Sequence, residues 1–171
     1  MKYNLTDIWE NTGRVAEYDA DFSFEELEVL GEKYKILNPS KVKLSISNED
    51  RGKAYIKARF SFETEIPCSR CLKPVMTGIE VSPEFMAISP ELQEEILDDE
   101  IPDFMEKYLF DADKFILSEL LLEWPSKILC KDDCAGICHV CGSNLNEGEC
   151  GCNRIVPNPA FAALSDLIKF D

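Results

Sequence analysis

Eight cysteines at short spacings constrain this chain more than any other feature of its sequence. One C-x-x-C pair lies mid-chain and six more cysteines follow near the carboxyl terminus: Cys68, Cys71, Cys130, Cys134, Cys138, Cys141, Cys150 and Cys152. Thiolates in such clusters are typical ligands of a tetrahedral zinc ion. The spacing therefore predicts cysteines that bind zinc to stabilise structure rather than to catalyse a reaction.

The expected cellular location favours metal over disulfides. Residues 1–4 lack the apolar core of a secretory signal, and no stretch of the chain approaches the roughly 18 apolar residues that a membrane span needs. We therefore expect a cytoplasmic protein. In that compartment glutathione and thioredoxin keep ordinary thiol pairs reduced, so clustered cysteines are more often metal ligands.

The eight thiolates divide into two sites of four, although the sequence leaves both the pairing and the number of ions, one or two, open. The favoured scheme joins the last four cysteines across the small polar loop 142–149. Within it, Cys138-x-x-Cys141-Gly142 has the form of a zinc knuckle, in which glycine lets backbone amides turn toward the sulfurs. The first four cysteines then form a long-range site.

Two other interpretations of the cysteines stay open. A C-x-x-C pair also occurs in redox proteins, and thiolate spacing alone does not exclude an iron–sulfur cluster. His139, the only histidine, is expected to face solvent within the knuckle. With no phosphate-binding glycine loop, no nucleophile elbow and a single histidine as a potential base, the sequence predicts that the protein is not an enzyme.

Hydrophobic periodicity predicts an α+β fold built on an antiparallel β-sheet or a partly open barrel, with two or more helices and a carboxyl-terminal cysteine-rich zinc-binding segment. Period-two alternation predicts strands over 16–24, 42–46 and 54–62, the last two as a hairpin, and a weaker strand over 75–87. An apolar stripe over 115–124 predicts a helix capped by Asp111 or Asp113 and ended by Pro125.

The predicted domain organisation has two parts packed as one unit. Residues 1–125 form the antiparallel core, with a mobile acidic loop at about 89–106. Residues 126–171 form the cysteine-rich segment and a short final helix that begins at Asn158 and Pro159.

Several segments together resemble the YceD family of large ribosomal RNA subunit accumulation proteins. They are PCSRCLKP at 67–74, the helix that closes with WP at 124–125, the block from LC at 129–130 through CGSNLN at 141–146, and PNPAFAAL at 157–164. The cysteine-rich block is similar to the form found in Gram-positive and related bacteria. The first hundred residues resemble the family mainly in pattern.

The resemblance implies a cytoplasmic, non-catalytic factor that supports accumulation, processing or assembly of large-subunit (23S) ribosomal RNA. It also implies partners: this RNA or a pre-ribosomal particle, and a basic ribosomal protein, since family members are linked genetically to a small zinc-containing protein of the large subunit. Arg70 is expected to contact a phosphate or a carboxylate.

The charge distribution suggests where RNA would bind. The chain carries a net charge of −15, so binding RNA requires a concentrated basic face. Lys53, Tyr55, Lys57 and Arg59 alternate along one predicted strand, and Tyr55 could stack on an unpaired base. The alternatives are a plain solvated strand face, or an acidic adaptor or chaperone that holds a basic ribosomal protein without touching RNA.

Overall fold

The structure is a computed structural model, and it describes residues 1–50, 52–92 and 101–153 of the chain. The elements in this part are, in order, β1 (Lys2–Asn4), α1 (Thr6–Glu10), β2 (Val15–Ala20), β3 (Glu26–Val29), β4 (Glu32–Lys35), β5 (Val42–Asp50), β6 (Lys53–Pro67), β7 (Pro74–Val81), β8 (Glu84–Ile88), β9 (Met105–Glu106), β10 (Leu109–Asp111) and α2 (Ala112–Leu122). Mostly antiparallel sheets with two helices confirm the predicted fold class in outline.

The chain divides into two compact units. The first comprises Met1–Ile66 and Met76–Ser126, and the second comprises Pro67–Val75 and the chain from Lys127 onward. The second unit is thus assembled from two chain segments that are far apart in sequence. The prediction that the two parts of the protein pack as one unit stays a prediction.

A hairpin of β5 and β6 forms the centre of the first unit, as the alternation of apolar residues predicted. The two strands pair antiparallel, with Leu44 opposite Ala58 and Ile46 opposite Ile56. Every second residue of β6 from Ala54 to Ile66 is buried. The strand order is β2-β5-β6-β7, with β8 also paired to β6. This period-two burial places one face of the hairpin in the core and the other in solvent.

The predicted strand over 16–24 is only partly correct. β2 ends at Ala20, although the alternation of exposed and half-buried residues continues to Phe24. The ring of Phe22 packs on Phe60 and Phe62, with centroids 5.6 and 5.7 Å away. These aromatic contacts keep Phe22 half-buried without any strand pairing, so the alternation of residue types alone placed the end of the strand too late.

The predicted strand over 75–87 is interrupted. It forms two strands, β7 and β8, separated by Ser82 and Pro83, and both pair with β6. Proline lacks the backbone N–H that a ladder needs, which explains the break. The carbonyl of Pro83 still accepts a hydrogen bond from the Ala58 N–H at 3.1 Å, so the chain stays beside β6 through the interruption.

The short elements β1, α1, β3, β4, β9 and β10 were not predicted from the sequence. The hairpin of β3 and β4 turns at Leu30 and Gly31, both with positive φ. β10 pairs with β1 and with β9 in a three-stranded sheet. Strands of two to four residues are too short for hydrophobic periodicity to detect.

The predicted helix is present as α2, capped by Asp111. The Asp111 side chain accepts a hydrogen bond from the Asp113 N–H at 3.2 Å. Phe115, Ile116 and Leu120 are buried as predicted. Leu121 was expected in the apolar stripe but is exposed, since it lies on the solvent side of the last turn. The helix ends at Leu122, before Pro125.

Two predicted features fall wholly or partly outside the described residues. These are the helix beginning at Asn158 and much of the acidic loop, of which 93–100 are not described. In the part that is described, Met105 and Glu106 form β9 rather than loop. Among the described helices, none has the length and apolar character needed to cross a membrane.

Thr64 is an unusual polar residue in the core of the first unit. It lies on β6 with 0% of its surface exposed, and its hydroxyl has no hydrogen-bond partner in the described part of the chain. A buried hydroxyl that makes no hydrogen bond destabilises the folded state, because nothing replaces the hydrogen bonds that it made to water.

Replacing Thr64 with valine is therefore expected to raise the free energy of unfolding by about 1 kcal/mol, because the isosteric methyl removes an unsatisfied group. Urea denaturation measures the change. Thr64→Ser is the matched control: it keeps the hydroxyl, loses the methyl and should be less stable than the wild type. A Thr64→Val protein with unchanged or lower stability would show that the hydroxyl is satisfied.

Candidate metal centres

All eight cysteines lie in the second unit, where they form two groups of four. Cluster I contains Cys68, Cys71, Cys130 and Cys134, and cluster II contains Cys138, Cys141, Cys150 and Cys152. Within each cluster all sulfur atoms lie within 4.8 Å of one another. Each cluster can hold one metal ion, and the grouping is the one that the spacing of the cysteines favoured.

The sulfur separations in cluster I fit a metal site and not a disulfide. The Sγ atoms of Cys68 and Cys134 are 3.7 Å apart, and those of Cys71 and Cys130 are 3.5 Å apart. A disulfide requires about 2.05 Å. Four sulfurs at the corners of a tetrahedron, each about 2.3 Å from a central ion, lie about 3.8 Å from one another. None of the eight cysteines forms a disulfide.

The first C-x-x-C pair lies in a tight turn between β6 and β7. The Leu72 N–H donates to the Cys68 carbonyl at 2.9 Å, and the Cys68 N–H donates to the Lys73 carbonyl at 2.8 Å. Leu72 adopts a left-handed conformation with φ of 60°. This turn directs both thiols of the pair to the same side, toward Cys130 and Cys134.

The pair in cluster II lies in a turn of the same kind. The Gly142 N–H donates to the Cys138 carbonyl at 2.8 Å, and the Cys138 N–H donates to the Ser143 carbonyl at 2.8 Å. Gly142 has a φ of 75° and occupies the position that Leu72 holds in the first turn. Both C-x-x-C pairs are therefore knuckles with one backbone geometry, although only the second was recognisable by its glycine.

Backbone and side-chain amides surround the sulfurs of cluster I. Burial raises the pKa of the Cys68 thiol, but donors from the backbone of Arg70, Cys71 and Cys130 outweigh it and lower this pKa to about 6. The hydrogen bond with Cys71, followed by burial, raises the pKa of Cys130 to about 12. The neighbouring cysteines thus keep the Cys130 thiol protonated, and a cation is what would let all four sulfurs carry charge.

Cluster II shows the same opposition between neighbours. The Ser143 hydroxyl, 2.6 Å from the Cys141 sulfur, and the Ser143 backbone lower the pKa of Cys141 to about 6. Hydrogen bonding with Cys141 and Cys150 raises the pKa of Cys152 to about 12. The Val140 N–H also donates to the Cys138 sulfur at 3.4 Å. Such outer hydrogen bonds orient ligands and spread their negative charge.

The two clusters differ in exposure. Cys68, Cys71 and Cys134 are buried and pack with Val75 and Leu129 in a small apolar core. In cluster II only Cys138 is buried, and Cys141 is exposed. A redox-active thiol needs access to its partner. The burial of Cys68 and Cys71 therefore favours a structural role for this pair over the redox alternative.

The residues expected to bind RNA are mostly paired with carboxylates. The Lys57 ammonium lies 3.1 Å from Glu84, and the Arg59 guanidinium donates to Glu80 at 2.6 and 3.2 Å. Lys53 lies 4.0 Å from Asp50. Tyr55 is partly exposed opposite Met86 of β8. The cations do share the outer face of β6, but acidic residues from neighbouring strands reduce its positive charge, so RNA binding by this face stays a prediction.

Arg70 and His139 lie in the two knuckles of the second unit. The Arg70 guanidinium donates to the Cys134 carbonyl at 2.8 Å, an intramolecular role that sequence reasoning missed. No sequence signal linked it to a residue 64 positions away. His139 is exposed and belongs to neither cluster.

The sequence was also compared with known proteins. The family model described as "Large ribosomal RNA subunit accumulation protein YceD" matches residues 56–168, well over half of the chain. The chain belongs to the YceD family. No curated protein and no solved structure gives a significant match. The YceD match spans both cysteine clusters, and its name implies a role in accumulation of large-subunit ribosomal RNA.

Substitution of the residue with positive φ is expected to have opposite effects on stability in the two knuckles. Gly142→Ala should lower the free energy of unfolding by about 1 kcal/mol, because a side chain strains the left-handed backbone although the space beside it is open. Leu72→Gly should cost little or stabilise, since Leu72 is 63% exposed and glycine relieves the same strain. Chemical denaturation of each variant and of the wild type measures both changes. Equal losses for the two variants would contradict a common knuckle geometry.

Proposed function

We propose that this YceD family protein is a non-catalytic, zinc-binding factor of the cytoplasm that supports accumulation, processing or assembly of 23S ribosomal RNA during ribosome biogenesis. The observation that carries the proposal is the family match over a segment that contains both four-cysteine clusters. The family name supplies the ribosomal role. The clusters supply the means of holding a binding surface in a fixed shape.

Zinc is the metal that the ligand set favours. Two all-cysteine sites, each containing a knuckle with backbone N–H groups directed at sulfur, are typical of structural zinc sites. In this role Cys68, Cys71, Cys130 and Cys134 would hold one ion, and Cys138, Cys141, Cys150 and Cys152 a second. Bound zinc supplies no reaction here. It neutralises the thiolates and joins chain segments that would otherwise separate.

The purified protein is expected to contain about two zinc ions per chain. The Cys71→Ser and Cys141→Ser variants should each contain about one, because each change removes one of the four ligands of one site. Metal analysis after purification without added zinc measures this. Visible absorption from a bound iron–sulfur cluster would contradict the zinc assignment.

In cells that lack the native protein, expression of the wild-type protein should restore the amount of large-subunit RNA relative to small-subunit RNA. Cys71→Ser should restore less, and full restoration by Cys71→Ser would contradict a need for cluster I.

An acidic adaptor for a basic ribosomal protein is the second candidate function. A cavity of about 490 Å³ in the first unit is lined by Trp9, Glu10, Glu91 and Tyr108 among others. The Tyr108 hydroxyl donates to Glu91 at 2.6 Å and lowers the pKa of its carboxyl, so that this group stays charged. Aromatic rings beside carboxylates suit a lysine or arginine side chain. The ion pairs of Lys57 and Arg59 also favour this alternative over direct RNA contact.

A pull-down with and without nuclease treatment distinguishes the two candidates. If the basic face binds RNA, replacing Lys53, Lys57 and Arg59 with serine should abolish a salt-sensitive RNA complex, because each lost phosphate contact weakens binding. If the protein is an adaptor, a basic protein partner survives nuclease, and Glu91→Gln should weaken its capture. The triple change Lys33→Ser, Lys35→Ser and Lys41→Ser, which also removes three exposed positive charges, is the matched charge control. Unchanged RNA binding by the triple variant would exclude the basic face.

A further inference from the structure

Asn146 is positioned by one cysteine cluster but contacts the other. It lies in the loop 142–149, between Cys141 and Cys150 of cluster II. Its amide Nδ2 nevertheless donates to the Cys134 sulfur of cluster I at 3.3 Å. Its Oδ1 accepts the Ala135 N–H at 2.9 Å. One side chain therefore binds both a sulfur of cluster I and the peptide group that follows it.

The position of Asn146 depends on the fold of the loop. The Asn144 side chain accepts hydrogen bonds from the Asn146 backbone N–H at 3.0 Å and from its amide at 2.9 Å. The Leu145 N–H donates to the Gly136 carbonyl at 2.9 Å. Residues Ile137 and Asn144 form an isolated antiparallel bridge. The loop is thus attached along the segment 136–138, which leads into the first ligand of cluster II.

The segment between the clusters is short and is attached on its other side to the first knuckle. Only Ala135, Gly136 and Ile137 separate Cys134 from Cys138. The Ile137 N–H donates to the Arg70 carbonyl at 3.1 Å. A Cβ atom at Gly136 would lie 3.2 Å from that carbonyl, and the φ of Gly136 is 78°. The close approach leaves this connection little freedom to move independently of either cluster.

We propose that the two metal centres are energetically coupled, and that Asn146 is the positioning residue that carries the coupling. Metal in cluster II closes the loop between Cys141 and Cys150 and thereby holds the Asn146 amide against Cys134. The amide N–H withdraws negative charge from that thiolate and favours metal in cluster I. By linkage, metal in cluster I favours metal in cluster II to the same extent. This inference rests on the metal binding proposed above.

The test is a competition of the full chain with a zinc chelator, with Co²⁺ substitution to monitor thiolate coordination by absorption. Asn146→Ala should weaken zinc binding at cluster I by about 10-fold or more, the range seen when an outer partner of a metal ligand is removed. Asn146→Asp keeps the acceptor for the Ala135 N–H but loses the donor to sulfur, so it should weaken binding as well. Glu149→Gln, an exposed change in the same loop, is the control and should have no effect.

A double-mutant cycle separates coupling from a purely local contact. In a Cys150→Ser/Cys152→Ser background, cluster II cannot fix the loop, so adding Asn146→Ala should change cluster I affinity much less than it does in the wild type. An equal loss in both backgrounds, or none in either, would overturn the coupling. If the double-serine chain does not fold by circular dichroism, zinc release from cluster II of the Asn146→Ala protein decides. Coupling predicts faster release from cluster II than in the wild type, and a wild-type rate there would overturn the proposal.

Failure of the proposed function gives a different result. A wild-type protein that is folded and binds no zinc would overturn the metal assignment and the coupling together. If the protein binds two zinc ions and the Asn146→Ala change leaves both zinc affinities unchanged, only the coupling is overturned.

Discussion

Convergence of four sulfur atoms from two distant chain segments is the constraint on which the second unit depends. The Cys71 and Cys130 thiols are 3.5 Å apart although 59 positions separate them in sequence. The two segments also meet through the Ser69 N–H and the Ile128 carbonyl at 2.7 Å, but few buried apolar side chains accompany this contact. Closing so long a loop costs entropy that such a core offsets poorly. A metal ion bound at this site, as proposed above, would supply the missing stabilisation, because the site is absent in the unfolded chain.

Local chemistry could be predicted from sequence more reliably than tertiary partners. The division of the cysteines into two fours followed from spacing, since a tetrahedral ion needs four ligands. The knuckle at Cys138 was recognisable because Gly142 permits a positive φ. The equivalent knuckle at Cys68 was not, because leucine stands at the residue with φ of 60°. The hydrogen bonds of this turn, from the Leu72 N–H to the Cys68 carbonyl and from the Cys68 N–H to the Lys73 carbonyl, override the preference of leucine. A sequence shows only that preference.

The same limit explains what was missed in the first unit. Alternation along β5 and β6 identified the central hairpin because long strands with one buried face repeat the pattern many times. Ion pairs across the outer face depend on which strands become neighbours. Glu80 and Glu84 lie beside Arg59 and Lys57 only once β7 and β8 pair with β6. A run of alternating cations on one strand therefore overstates the positive charge that a partner meets.

Charge balance also bears on the proposed ribosomal role of a protein with a net charge of −15. Exposed ion pairs such as Arg59 with Glu80 contribute little to stability, about 0–1 kcal/mol each, and are easily rearranged. A phosphate group could replace the carboxylate, but it must compete with a tethered partner and with repulsion from the surrounding acids. The ion pairs on the outer face of β6 thus weigh against RNA binding at Lys57 and Arg59 unless Glu84 and Glu80 are displaced.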